Sequence, residues 1–159
     1  MPAGPYLKYR SNIGKYSDVV FKSVDPDFAN RAKANKEKGI PNIIVGGLSY
    51  GQGSSREHAA ICPMFLGVKV LLVKSFERIH RANLINFGIV PLTFVDALNY
   101  DKIDQNDEIV IDNIGNQLHH ESITIFNKTK NITFTAKGDF SAREIEYLIA
   151  GGKLNILKG

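Results

Sequence analysis

Cysteine is almost missing from this chain: Cys62 is the only one in 159 residues. A disulfide within the chain is therefore excluded, and so is an iron–sulfur or zinc site built from several cysteines of its own. A single thiol fits a reducing compartment, and the expected location is cytoplasmic. Charge of one sign is also sparse as a pattern. The formal net charge is only +4, spread over Lys8, Lys15, Lys33, Lys36, Lys38 and others. No run of five like charges occurs, so a nucleic-acid-binding tail is not expected. A mild positive field favours an acidic small molecule as ligand. No stretch reaches the 18 or so apolar residues of a membrane helix, so no membrane partner is expected. The opening Met1-Pro2-Ala3-Gly4-Pro5 has no basic segment followed by an apolar run, and no secretory signal is visible. With 43% hydrophobic and 23% charged residues, the composition is that of an ordinary globular domain. A chain of this length suits one domain and buries about two-thirds of its unfolded surface.

Residues 1–16 are rich in Pro, Gly, Tyr and Lys and read as an irregular linker arm carrying Arg10. Asp18–Val24 reads as a strand or a turn. Asp27–Lys38 reads as a helix, capped by Asp27 and stopped by Gly39. Asn42–Val45 is a buried strand ended by Gly46-Gly47. A loop over Leu48–Gly53 leads into a helix from about Ser54, which Pro63 is expected to break or kink. Lys69–Val73 is a second buried strand. Ser75–Asn86 is a helix, with Ser75 as its cap and Gly88 beyond its end. Ile89–Val95 is a third strand. The order β-α-β-α-β predicts an α/β fold with parallel strands and crossover helices. Glu108–Ile111, Ser122–Phe126 and Asn131–Thr135 then suggest antiparallel hairpins. Ser141-Ala-Arg-Glu144 is a capping box opening a helix with Ile145, Leu148 and Ile149 inward. Residues 17–159 are thus expected to form one domain.

The chemistry concentrates in Tyr50-Gly-Gln-Gly-Ser-Ser-Arg-Glu-His-Ala-Ala60. A glycine-rich loop lets the backbone turn sharply and a ligand come close. The first amides of the following helix have no partner inside the helix, and the helix dipole adds positive charge there. That is an anion site. Ser54, Ser55 and the fork of Arg56 add groups suited to a carboxylate. Taken alone, Ser54-Ser55-Arg56-Glu57 also fits a capping box, and such patterns are commoner than catalytic ones. A phosphate loop lacks support, since the Gly-Lys-Ser/Thr ending is absent. A nucleophile elbow needs Gly-x-Ser-x-Gly, which Gly51–Ser55 does not supply. His58 reads as a partner of nearby backbone that could orient a serine or a ligand. His80, His119 and His120 read as structural or surface residues, Arg78 and Arg81 as surface or interface, and Cys62 as a small buried residue.

Together with Lys74-Ser-Phe-Glu-Arg-Ile-His-Arg-Ala-Asn-Leu84, Gly88-Ile-Val-Pro-Leu-Thr-Phe94 and the arm Gly4-Pro-Tyr-Leu-Lys-Tyr-Arg10, this turn closely resembles the C-terminal swivelling domain of aconitase. The resemblance runs from the first residues to about residue 100, and more loosely to the end. It implies a swivelling β/β/α domain and a hydro-lyase that isomerises citrate and isocitrate through cis-aconitate in the tricarboxylic acid cycle. It implies Ser54 as the catalytic base, with Arg10, Ser55 and Arg56 binding substrate. Gly53, Glu57 and His58 would support them. It also implies a [4Fe–4S] cluster, and one cysteine cannot hold a cubane. The cluster is therefore expected on domains absent from this chain, which would itself bind no metal and be inactive alone. A fragment of a longer polypeptide is the expected origin. Two other readings stay open: the small subunit of an isopropylmalate isomerase or homoaconitase, and a non-catalytic carboxylate-binding module.

Overall fold

The computed structural model describes residues 1–2, 4–53 and 57–158. Its centre is a six-stranded mixed sheet in the order β1-β2-β3-β6-β5-β4. Strands β1 (Asn42–Gly46), β2 (Val68–Val73) and β3 (Val90–Phe94) run parallel, as the alternating pattern requires. They are joined through helices α3 (His58–Phe65) and α4 (Arg78–Asn86). After β3 the pairing turns antiparallel. Strands β5 (Ser122–Asn127) and β6 (Ile132–Lys137) form a hairpin that docks β6 on β3, and β4 is only Ile109–Val110.

Every residue of β2 except Lys69 is buried, as expected of a central strand covered on both faces. Successive side chains point to opposite faces. Val70 and Leu72 join Val90, Leu92, Ile123, Ile125 and Phe134 in one cluster. Leu71 and Ile44 instead pack with Ala60 of α3 and Leu84 of α4. Strand β5 buries only alternate residues, Ile123, Ile125 and Asn127, because its other face meets solvent.

Several local expectations need correction. The first residues are not irregular: Gly4–Tyr9 form a 3-10 helix and Ile13–Ser17 form α1, capped by the Asn12 side chain. Tyr16, Val19 and Val20 then pack with Ala29 and Ala32 of α2 (Phe28–Glu37) and with Leu66. Asp27 flanks α2, but its side chain makes no capping bond. Pro63 does not break α3, which runs on to Phe65. A proline so near the end removes only the bond to the Ala59 carbonyl. Helix α4 begins at Arg78, three residues later than Ser75 suggests, because the backbone of 75–77 is engaged elsewhere. The short α5 (Ile114–Gln117) precedes β5. The Ser141–Glu144 capping box is present and opens α6 (Ala142–Ile149). Ile145 and Leu148 are buried, but Ile149 is 61% exposed. The helix leans on its Tyr147 flank, which packs against the sheet cluster and rotates Ile149 outward. Helix α7 (Lys153–Ile156) closes the chain. No helix among the described residues is long and apolar enough to cross a membrane.

Candidate active site

The glycine-rich loop is held by the segment that follows β2. The Tyr50 amide donates to the Ser75 carbonyl at 2.9 Å, and the Glu77 amide donates to the Tyr50 carbonyl at 2.9 Å. Tyr50 and Phe76 form a parallel β-bridge, and the Ser49 amide donates to Ser75 Oγ at 2.7 Å. The hydroxyl expected to cap α4 is thus spent on the loop. Gly51 has a φ of +93°, and a Cβ there would lie 2.3 Å from Cβ of His80. Only a glycine lets the loop rest against α4 in this way.

Ser54, Ser55 and Arg56 lie outside the described residues. Gly53, at φ +112°, is exposed, and a Cβ there would meet nothing within 4 Å. Glu57 is exposed with helical backbone angles. His58 Nε2 donates to the Arg10 carbonyl at 2.8 Å. A carbonyl can only accept, so this ring nitrogen carries the proton. The His58 ring also leans on Tyr16, with centroids 5.4 Å apart. The arm that carries Arg10 is thereby fastened to the first turn of α3. Arg10, Leu7, Tyr16, Glu57 and His58 line one cavity of about 330 Å³. Tyr16, Tyr50, Gly51, Gly53, His58 and His80 help to line a neighbouring one of about 420 Å³.

Two larger depressions carry more acidic side chains. Depressions of about 530 and 670 Å³ lie beside β1 and the 103–109 segment. The first is rimmed by Asp25, Asp101, Asp104 and Asp107, and the second by Asp107 and Glu108 with Arg31. Acidic groups outnumber basic ones at both rims, although Arg31 pairs with Asp25 and Lys130 with Asp104. Near the loop, burial pushes the Tyr50 hydroxyl far above its ordinary value, so it stays protonated. Burial, aided by the nearby amino terminus, lowers the His80 pKa and keeps that ring neutral.

Cys62 is fully buried beside Ser17, whose hydroxyl donates to the Cys62 carbonyl at 3.4 Å. Burial raises its thiol pKa, which works against a thiolate ligand. Among the described residues no group of three or more His, Cys, Asp or Glu side chains could hold a metal ion. The donor set of this chain does not fit a [4Fe–4S] cluster.

Residues 6–97 match the aconitase C-terminal domain. The chain belongs to that family. A probable mitochondrial aconitate hydratase of Caenorhabditis elegans is 37% identical over 98% of this chain and 23% of its own length. Its counterpart in Dictyostelium discoideum is 36% identical over the same shares. The chain thus spans about a quarter of the length of the curated relatives it matches. A crystal structure of 3-isopropylmalate dehydratase from Methanocaldococcus jannaschii superposes with a TM-score of 0.74 at 32% identity. That match covers 98% of this chain and 81% of the other. The α/β architecture expected from the sequence is therefore the family's own.

Ser75 holds the loop in a way its sequence context does not announce. Ser75 looked like a helix cap, and nothing local distinguishes a hydroxyl that caps from one that staples a distant loop. His80, expected to be structural or at the surface, is structural: it is 5% exposed. Its signal was legible: four residues before buried Leu84, it sits on the inward stripe of α4.

Proposed function

We propose that this chain is the substrate-gripping domain of a hydro-lyase of the aconitate hydratase type, acting on citrate, isocitrate and cis-aconitate. The observation that carries the reading is the 2.8 Å bond from His58 to the Arg10 carbonyl. It ties the arm to the helix that follows Ser54-Ser55-Arg56, so that groups more than forty positions apart in sequence serve one ligand. Arg10 and Arg56 grip substrate carboxylates, and Ser55 adds a hydrogen bond. Ser54 takes the substrate proton. A serine hydroxyl is a very weak base, so its alkoxide needs concentrated positive charge, supplied by the two guanidinium groups and unpaired amides. The negative charge that develops on a carboxylate as the proton leaves strengthens the same hydrogen bonds. This is fixed electrostatic stabilisation rather than a nucleophile relay.

The family's iron–sulfur cluster belongs, on this reading, to domains absent from this chain, and the isolated chain binds carboxylates without turning them over. The test is an enzyme completed with the cluster-bearing domains and followed by cis-aconitate absorbance. Ser54→Ala should lower kcat by about 10²- to 10⁴-fold. Unchanged turnover in that variant removes Ser54 from the reaction. The likeness to 3-isopropylmalate dehydratase over nearly the whole chain supports a second reading, a hydro-lyase for an alkyl-substituted malate. Arg10 favours the tricarboxylate, because an alkyl group needs an apolar wall in its place. Turnover of isopropylmalate in preference to citrate would decide for the second.

A further inference from the structure

We infer that the rim at the carboxyl ends of the parallel strands, with Leu48, Val95 and Leu98 as its apolar anchors, is the docking surface for the cluster-bearing part of the enzyme. The inference rests on the proposed function and adds to it the place where the missing partner sits.

The rim is set by topology. Strands β1, β2 and β3 run parallel in adjacent positions, so residues 46–48, 73–75 and 93–95 emerge at one end of the sheet. The glycine-rich loop leaves from the same end. Neighbouring strands lie about 4.8 Å apart, which puts the ends of β1 and β3 about 10 Å from each other. Along this rim three large apolar side chains meet solvent: Leu48 is 75% exposed, Val95 59% and Leu98 69%. Single apolar residues on a surface are ordinary, whereas several gathered at one rim mark a contact.

Their backbone is fastened. The Lys74 amide donates to the Gly47 carbonyl at 3.1 Å and the Ser49 amide to Ser75 Oγ, so Leu48 is held on both sides. The Val95 amide donates to the Thr135 carbonyl at 3.4 Å. The Leu98 amide donates to Asp96 Oδ1 at 3.0 Å, where the 3-10 helix Ala97–Lys102 opens. Apolar side chains held out on bonded backbone lose little freedom when a partner covers them.

The occupant follows from two facts. The chain spans about a quarter of the length of its curated relatives, so most of such an enzyme stands elsewhere. Among the described residues no side-chain group could hold a metal ion. A small acid gripped by the glycine-rich loop therefore meets the cluster only if the part that carries it stands over this rim. Leu154 and Leu157, 62% and 74% exposed, form a second apolar pair at the other end of the sheet. There the turn between α6 and α7 abuts Gly88, just ahead of β3, where a Cβ would lie 2.3 Å from the Gly151 carbonyl carbon.

The experiment is hydroxyl-radical footprinting of the complete enzyme, read by mass spectrometry at four leucines of similar exposure on this chain and equal intrinsic reactivity. Leu48 and Leu98 should be oxidised about fivefold or more slower than Leu154 and Leu157, because a partner excludes water from its contact. Equal rates, or slower oxidation of Leu154 and Leu157, overturn the inference. Two double variants give a second readout. Leu48→Asp with Leu98→Asp should lower kcat/KM for cis-aconitate by about tenfold or more, since a carboxylate trapped in an apolar contact is costly. Leu154→Asp with Leu157→Asp should stay within about twofold. Urea midpoints of both variants separate lost docking from lost folding. Rim variants that fold and turn over cis-aconitate as well as the unaltered enzyme also overturn the inference. Should the unaltered enzyme not act on cis-aconitate, the proposed function falls and this inference with it. Turnover with the rim leucines unprotected removes the inference alone.

Discussion

At the scale of single residues, two contacts fix the glycine-rich loop and the arm. Gly51 combines a φ of +93° with a 2.3 Å approach of any added Cβ to His80. Gly51→Ala should therefore lose about 2–4 kcal/mol in urea unfolding, from overpacking together with backbone strain. A loss below about 0.5 kcal/mol would mean the loop can move aside. His58 is the other contact. Its bond to the Arg10 carbonyl is half-exposed and single, so His58→Ala should cost only about 1 kcal/mol globally. The local effect is larger in proportion. Amides of residues 4–12 should exchange about tenfold faster by mass spectrometry, with α4 and β2 unaffected. Unchanged exchange in the arm would show that Tyr6, Tyr9 and Ile13 hold it without help.

At the scale of elements, α4 and α6 are joined by a charged seam. Arg81 donates to Glu144 at 3.1 Å and to the Gly138 and Asp139 carbonyls, and it lies over the Phe140 ring. Burial works against the Glu144 charge, but the Ser141 amide and Arg81 outweigh it and hold the carboxyl below its ordinary 4.5. A depressed carboxylate stabilises the fold fully above its unfolded value and loses that contribution as pH falls through the folded value. The urea midpoints of the natural protein and Glu144→Gln should therefore differ at pH 7 and converge below about pH 4. A gap that stays constant on acidification would exclude the ion pair as its source. The capping box in this seam was legible because Ser141 and Glu144 satisfy each other locally, with no distant partner needed. Ser75 carries the same kind of signal, yet a loop 26 positions away takes its hydroxyl. Ile149 has the right helical spacing and still faces solvent, since the tilt of a helix on a sheet is set by neighbours such as Tyr147.

At the scale of the whole molecule, the architecture could be read because strand and helix periods alternate along the chain, and parallel pairing follows from the crossovers. The site could be read only in part. The motif residues raise the expectation of an anion grip, but the ties His58–Arg10 and Ser75–Ser49 exist only once the chain has folded back on itself. The buried residues form three clusters: one around Val70, Leu72 and Ile123, one in which Ile44 and Leu71 meet α3 and α4, and one in which Tyr16, Val19 and Val20 meet α2. The last is smaller than the first and belongs to the arm side. Hydrogen exchange should therefore find β2, β3 and β5 slowest, with α1 and α2 opening at lower free energy. Equal protection of both would make the chain one cooperative unit. The staple of the loop on residues 75–77 also has a consequence for biosynthesis. A nascent chain that has emerged only through β2 holds the glycine-rich loop but not the segment that sets it. The loop thus takes its set only after residues 75–77 have left the ribosome, and a growing chain passes through a stage in which its signature motif is complete in sequence while the loop that carries it is still unfastened.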